Sequence, residues 1–185
     1  MSPLTIPADN RILYFSRDRE AFRFLSHFFP SPIVMDGEAW ATVEHYYQAQ
    51  KSDDPAYRQA IRDTVSPGMV KRLAAPPQAP RRVSAQSWFR KRGALPRPDW
   101  HDVKLDIMRR ADLEKFTQNG ELGELLLATG GAELVEDSPT EAYWGTGPDG
   151  HGLNWAGRVI MEVREQLRTF GPPQEYVRPI GKSVE

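Results

Sequence analysis

The sequence predicts a mainly α-helical domain carrying a small β-sheet, an α+β fold. Three observations carry that expectation. Apolar residues recur at helical spacing in several separate segments, and only three short stretches read as strands. The third is size: 185 residues that are 39% hydrophobic, with five Trp, fit one core, and folding at this length hides roughly 70% of the unfolded surface. The domain is expected over residues 11–171, between tails at 1–10 and 172–185.

Taken in order, Arg11 to Phe15 alternates and runs apolar as a short strand does, and Ile33-Val34-Met35 before Asp36-Gly37 reads as a hairpin. Thr42 can cap an amphipathic helix of about three turns that places Val43, Tyr46, Tyr47 and Gln50 on one face and Glu44, Gln48 and Lys51 on another. Pro55 opens a helix to about Thr64, and Ser66-Pro67 opens the next, through Met69, Val70 and Leu73. From Ala75 to Pro98 five prolines, together with Arg81, Arg82, Arg90, Lys91 and Arg92, predict an extended basic loop inserted in the domain. Asp99 caps a long helix whose inward stripe is Trp100, Val103, Ile107 and Ala111, continued by Leu113 or Phe116 and stopped near Asn119-Gly120. A leucine-rich helix around Leu122, Leu125 and Leu126 and a strand at Glu133–Glu136 follow. Asn154 then caps the last helix, with Val159, Ile160, Val163 and Leu167 inward and a stop at Gly171-Pro172-Pro173.

Composition narrows the chemistry. The charge is nearly balanced at net −1, unlike a dedicated nucleic-acid binder, although local patches stay open. No apolar run approaches the roughly 18 residues of a membrane span, and Met1-Ser2-Pro3-Leu4-Thr5 has no signal-peptide character, so a cytoplasmic location is expected. Without cysteine there is no disulfide, thiolate nucleophile or Cys-type metal site. His27, His45, His101 and His151 lack the spacing of a helical zinc site, and no G-x-S-x-G occurs.

Gly145-Thr-Gly147-Pro-Asp-Gly150 matches G-x-G-x-x-G, but Pro148 and Gly152-Leu153 break the strand–turn–helix context that a dinucleotide fingerprint needs. Two readings stay open: a turn-rich loop, or amides at the start of the Asn154 helix that cradle a phosphate. Glu44, Gln48 and Lys51 stack at i, i+4 and i+7, which usually marks a solvated face but marks a functional carboxylate if the helix is covered on both sides. Trp100 reads as a core anchor or a base-stacking platform, and Tyr143-Trp144 has the same ambiguity.

The chain also contains Phe24-Leu25-Ser26 followed by Phe28, and Asp36-Gly37-Glu38-Ala39-Trp40-Ala41 running into Thr42-Val43-Glu44-His45-Tyr46-Tyr47-Gln48-Ala49-Gln50-Lys51. Later come Arg97-Pro98-Asp99-Trp100 with Lys104 and Met108, then Leu125 to Gly130 before Leu134-Val135-Glu136. The last block is Ala142-Tyr143-Trp144-Gly145-Thr146-Gly147 with Gly150, Gly152, Asn154, Gly157 and Met161 to Arg164. These blocks, in this order, resemble the YbiA-like or NADAR family, whose members include N-glycosidases of riboflavin-biosynthesis intermediates and hydrolases that remove ADP-ribose from guanine.

The resemblance implies a single YbiA-like domain and catalytic residues Glu44, Trp100 and Glu141. It implies a substrate-binding set of Ser26, His27, Phe28, Trp40, Gln48, Lys51, Trp144, Gly145 and Asn154, with no metal or redox cofactor. The partner it implies is a phosphoribosyl or ADP-ribosyl compound, free or on nucleic acid. The chain departs from the family where Glu141 replaces a common Asp, where His27 replaces a frequent Asn, and in the long 75–98 segment. Cleaving a bond from ribose C1′ to nitrogen passes through an oxocarbenium-like state, which calls for a carboxylate near C1′ and a proton for the leaving nitrogen. Of the residues the resemblance implies, Glu44 is read beside C1′ and the attacking water and Glu141 as its partner in proton transfer, with the reverse assignment equally open. The alternative reading is a module that binds NAD or ADP-ribose without cutting it.

Overall fold

The computed structural model describes residues 4–15 and 20–171, so the expected tail at 172–185 lies outside the described residues. The elements in chain order are β1 (Arg11–Tyr14), a 3-10 turn (Glu20–Leu25), β2 (Ile33–Met35), β3 (Glu38–Trp40), α1 (Val43–Ala49), α2 (Pro55–Arg62), α3 (Pro67–Leu73), α4 (Arg81–Ser84), α5 (Trp88–Arg92), α6 (Trp100–Gln118), α7 (Gly120–Ala128), β4 (Glu133–Glu136) and α8 (Trp155–Phe170). The mainly helical α+β class is as expected. They group into two compact units, one holding the described residues up to Leu25 and from Lys115 on, the other running Ser26–Glu114.

In the first unit β1 pairs in parallel with β4, Ile12 opposite Leu134 and Tyr14 opposite Glu136. A parallel pair needs a crossover, and here it is the whole stretch between the two strands. Ile12, Leu134 and Val135 are buried together with Val159, Ile160, Val163 and Leu167, the inward face of α8. Each such side chain contributes about 1.5–3 kcal/mol on leaving water. Gly157 lets α8 approach β4, because a Cβ there would run into the Leu134 carbonyl oxygen. Arg164, buried on α8, ties the turn after α7 by donating to Thr129 Oγ1 at 2.7 Å and to the Ala132 carbonyl at 2.9 Å.

In the second unit β2 and β3 form an antiparallel hairpin with Ile33 opposite Trp40. Its two turn residues have positive φ, 54° at Asp36 and 78° at Gly37, the combination a two-residue type I′ turn demands. The small sheet expected is therefore two separate two-stranded sheets, β1–β4 and β2–β3. α2 begins as its signals predict, Asp54 capping the Ala56 amide ahead of Pro55.

The segment 75–98 departs from expectation, since it contains α4 and α5 where its prolines predict an extended loop. The prolines stand outside both helices. Ser87 accepts from Arg90 N, Gly93 terminates α5 in the left-handed region, and Trp88 and Phe89 bury themselves against Tyr57 of α2. Among the described residues no helix is long and apolar enough to cross a membrane.

Candidate active site

The second unit builds a site around α1. Thr42 caps it, with Oγ1 accepting from His45 N, and all seven helical residues are buried. α1 has only two turns rather than three and ends in Gln50, whose amide bonds back to Tyr46 and Gln48 carbonyls. Glu44 is 5% exposed, so the polar stripe it begins is not a solvated face. Its carboxylate accepts from Gln48 Nε2 at 2.8 Å, the i,i+4 contact that the spacing allows. Tyr57 of α2 donates its hydroxyl to the Gln48 carbonyl at 2.8 Å. Burial first, and the nearby Glu44 charge second, push that phenol well above its ordinary value, so Tyr57 stays a neutral donor.

One turn further, the Tyr47 ring meets Trp100 with centroids 4.9 Å apart. Lys51 Nζ lies 5.4 Å from the centre of the same indole and donates to the Ala74 carbonyl at the end of α3, at 3.1 Å. The Lys51 carbonyl in turn accepts from Arg97 N at 2.8 Å, which brings the approach to α6 alongside. Arg97 grips Asp99 with two bonds of 2.6 and 2.8 Å and keeps that carboxyl below its ordinary range. Glu44, Gln48, Lys51 and Trp100 are thus gathered by one helix face and what packs on it. Trp100 is 9% exposed, an anchor more than an open platform.

Ser26, His27 and Phe28 lead toward the same helix. Ser26 Oγ accepts from Phe28 N at 3.1 Å, and the His27 carbonyl accepts the amide of Glu44 at 3.2 Å. The His27 ring is 8% exposed and lies with Nε2 2.9 Å from Asp112 Oδ2 of α6, so Nε2 is engaged inside the protein. His45 is likewise occupied: Nε2 donates to the Thr64 carbonyl and Nδ1 accepts from Thr42, both at 2.8 Å. Trp40, expected against substrate, is 1% exposed beneath Arg58 and Arg62 and edge-on to Tyr46. It anchors the hairpin to α1.

The first unit holds Glu141, Trp144, Gly145 and Asn154 in one loop. The Gly145 amide donates to the Glu141 carbonyl at 2.7 Å, and Trp144 stands at right angles to Tyr143. Glu141 itself is half-buried. Gly145, Gly147 and Gly152 serve close packing, a Cβ on Gly145 falling 2.6 Å from the Glu136 carbonyl oxygen.

Of the two readings left open for this loop, the bonds favour the plain one. The amides of Asn154, Trp155 and Ala156 donate to the carbonyls of Gly145, Tyr143 and Trp144, so the first turn of α8 has protein partners where an anion would sit. Asn154 occupies the N-cap position but makes no side-chain cap. It sits in the left-handed region, and its carboxamide bonds β4 twice, accepting from Glu136 N and donating to the Leu134 carbonyl, both at 2.9 Å.

Sequence reasoning missed Tyr57 and Asp112. Asp112 carried a signal, since it follows Met108 by four residues and adjoins Ala111 on the inward stripe of α6.

The family described as the NADAR domain matches residues 14–168. The N-glycosidase YbiA of Escherichia coli is 40% identical over 156 residues, covering 84% of this chain and 88% of that protein. An N-glycosidase of Nostoc punctiforme is 38% identical over 161 residues, 85% of this chain and 94% of the relative. A riboflavin biosynthesis protein of Vibrio vulnificus is 39% identical over 160 residues, and there the chain spans 40% of the relative's length. Among solved structures, the NMR structure of E. coli YbiA superimposes with a TM-score of 0.69 at 40% identity, over 85% of this chain and 84% of that one.

Proposed function

The chain belongs to the NADAR domain family, and from that premise we propose that it is an N-glycosidase, a hydrolase of the bond between ribose C1′ and a base or amine nitrogen. The observation that carries this reading is the buried carboxylate of Glu44, oriented by Gln48 on the helix face that also holds Lys51 and Trp100. As C1′–N breaks, positive charge grows on the ribose, and a fixed carboxylate stabilises it far better in a dry site than in water. Water supplies the oxygen that bonds to C1′. Glu44 takes a proton from that water, and the departing nitrogen keeps the bond's electron pair and gains a proton. In this proposal Glu141 is the candidate donor of that proton. Trp100, already packed by Tyr47, serves as a wall that excludes water.

The substrate in this proposal is a phosphoribosyl or ADP-ribosyl compound, handled in the cytoplasm. Riboflavin-pathway intermediates are favoured, because relatives at 39% and 35% identity are named riboflavin biosynthesis proteins. Incubating the protein with phosphoribosylated riboflavin intermediates, with ADP-ribosyl-guanosine and with NAD, then identifying the released base by mass spectrometry, tests the reading. The freed base, amine or nucleoside is expected together with ribose phosphate from a phosphoribosyl compound or ADP-ribose from an ADP-ribosyl one. Tight binding with no release from any class would make the chain a binding module instead.

One observation favours nucleic acid as the carrier of the substrate: between Asp63 and Asp99 there are eight Lys and Arg and no acid. Arg90 is engaged by the Pro77 and Ala79 carbonyls, whereas Arg81, Arg82 and Lys91 are exposed. Oligonucleotide binding that weakens with salt and in the Arg81→Ala/Arg82→Ala/Lys91→Ala variant is expected on that version. Salt-insensitive or absent binding removes it.

A further inference from the structure

Asp112 is 0% exposed, and its Oδ1 has no hydrogen-bond partner among the described residues, so a carboxyl group on α6 is buried with its other oxygen anchored by His27 Nε2 at 2.9 Å. Such an arrangement is a poor source of stability. Buried polar groups give up their hydration, and well-packed apolar residues commonly stabilise a core as well or better. What a buried pair does supply is a defined position. His27 is held at two points: its ring by Asp112, and its carbonyl by the amide of Glu44 at 3.2 Å. That amide belongs to the first turn of α1 and has no partner within the helix. Thr42 satisfies the neighbouring amides of His45 and Tyr46, which leaves Glu44 N to His27. α6 therefore reaches α1 twice, at Trp100 through Tyr47 and at Asp112 through His27.

We propose that Asp112 and His27 are positioning residues for Glu44: the buried carboxylate fixes the imidazole, and the histidine's own carbonyl fixes the backbone of the catalytic glutamate. The role rests on the assignment of Glu44 made above. It gives a physical reason for His27, whose ring faces Asp112 rather than substrate. Replacing Asp112 with Asn keeps the shape and exchanges the carboxyl group for an amide. In the full chain, Asp112→Asn should accelerate hydrogen exchange at the Glu44 amide about tenfold while the Tyr46 amide, held by Thr42, changes little. With the N-glycoside found to be cleaved, kcat should fall about tenfold and KM stay within about twofold, since a small displacement of a catalytic group slows chemistry more than binding. His27→Asn, too short to reach Asp112, should reproduce both effects and provides the second test if Asp112→Asn does not fold. Unchanged exchange at Glu44, or equal acceleration along all of α1, overturns the proposal. The two failures separate: full turnover in Glu44→Gln defeats the assignment of the catalytic acid, whereas the exchange result judges the positioning by itself.

Discussion

Glu44 shows what a residue's neighbours do to its meaning. At i, i+4 and i+7 with Gln48 and Lys51 it looks like part of a wet stripe, and nothing local distinguishes a wet stripe from a buried one. The difference comes from Tyr57, 13 residues on, and from Trp100, 56 residues on, which are distant in the chain and so absent from any local pattern. Asn154 is the converse case. Its type and position suggest a cap, but its side chain serves as an extra rung for β4, a contact 18 and 20 residues away. At Glu141 the length of the side chain is the testable quantity. Glu141→Asp should keep substantial turnover, because the carboxylate retracts by one methylene, whereas Glu141→Ala should lose at least about a hundredfold as a missing proton donor does. Equal rates in the two variants would remove Glu141 from the reaction.

At the scale of elements, the hairpin was fully legible because its signal is local: Asp36-Gly37 is the pair that a type I′ turn selects. α4 and α5 were not, since proline density drowned the Ser87 and Gly93 boundary signals and the burial of Trp88 and Phe89 depends on α2. The hairpin also carries a pH-dependent tether. A hydrogen bond from Arg110 holds Asp36 below its ordinary value of 3.8, and bonds from Arg62 and then Arg58 hold Glu38 below 4.5. Folded values below unfolded ones mean stability that is complete above those figures and lost as pH falls through the lowered ones. Both carboxylates are partly exposed, so each tether contributes no more than about 1 kcal/mol after screening. The Asp36→Asn/Glu38→Gln variant should therefore be slightly less stable than wild type at neutral pH in urea titrations, and the gap should close in acid. A gap independent of pH would mean the tethers do not act through charge.

At the scale of the molecule, each unit organises its share of the expected residues by a different device. In Ser26–Glu114 a two-turn helix buried on all sides carries a carboxylate, and side chains from α2 and α6 set its surroundings. In the other unit a glycine-rich loop is locked by its own carbonyls, which makes it a rigid mount for Glu141 and Trp144 rather than a phosphate cradle. The helical class and the order of the elements outside 75–98 followed from periodicity and caps, which act over a few residues. The split into two small sheets did not, because parallel pairing of β1 with β4 joins segments more than a hundred residues apart.

The measurement that bears most directly on this account is the single-turnover rate of C1′–N cleavage by Glu44→Gln. The amide keeps the volume and can still pair with Gln48, so the variant should fold with an unchanged melting temperature and circular dichroism spectrum. The rate should drop at least about a hundredfold with substrate binding retained. A folded Glu44→Gln protein that cleaves at the wild-type rate would contradict it.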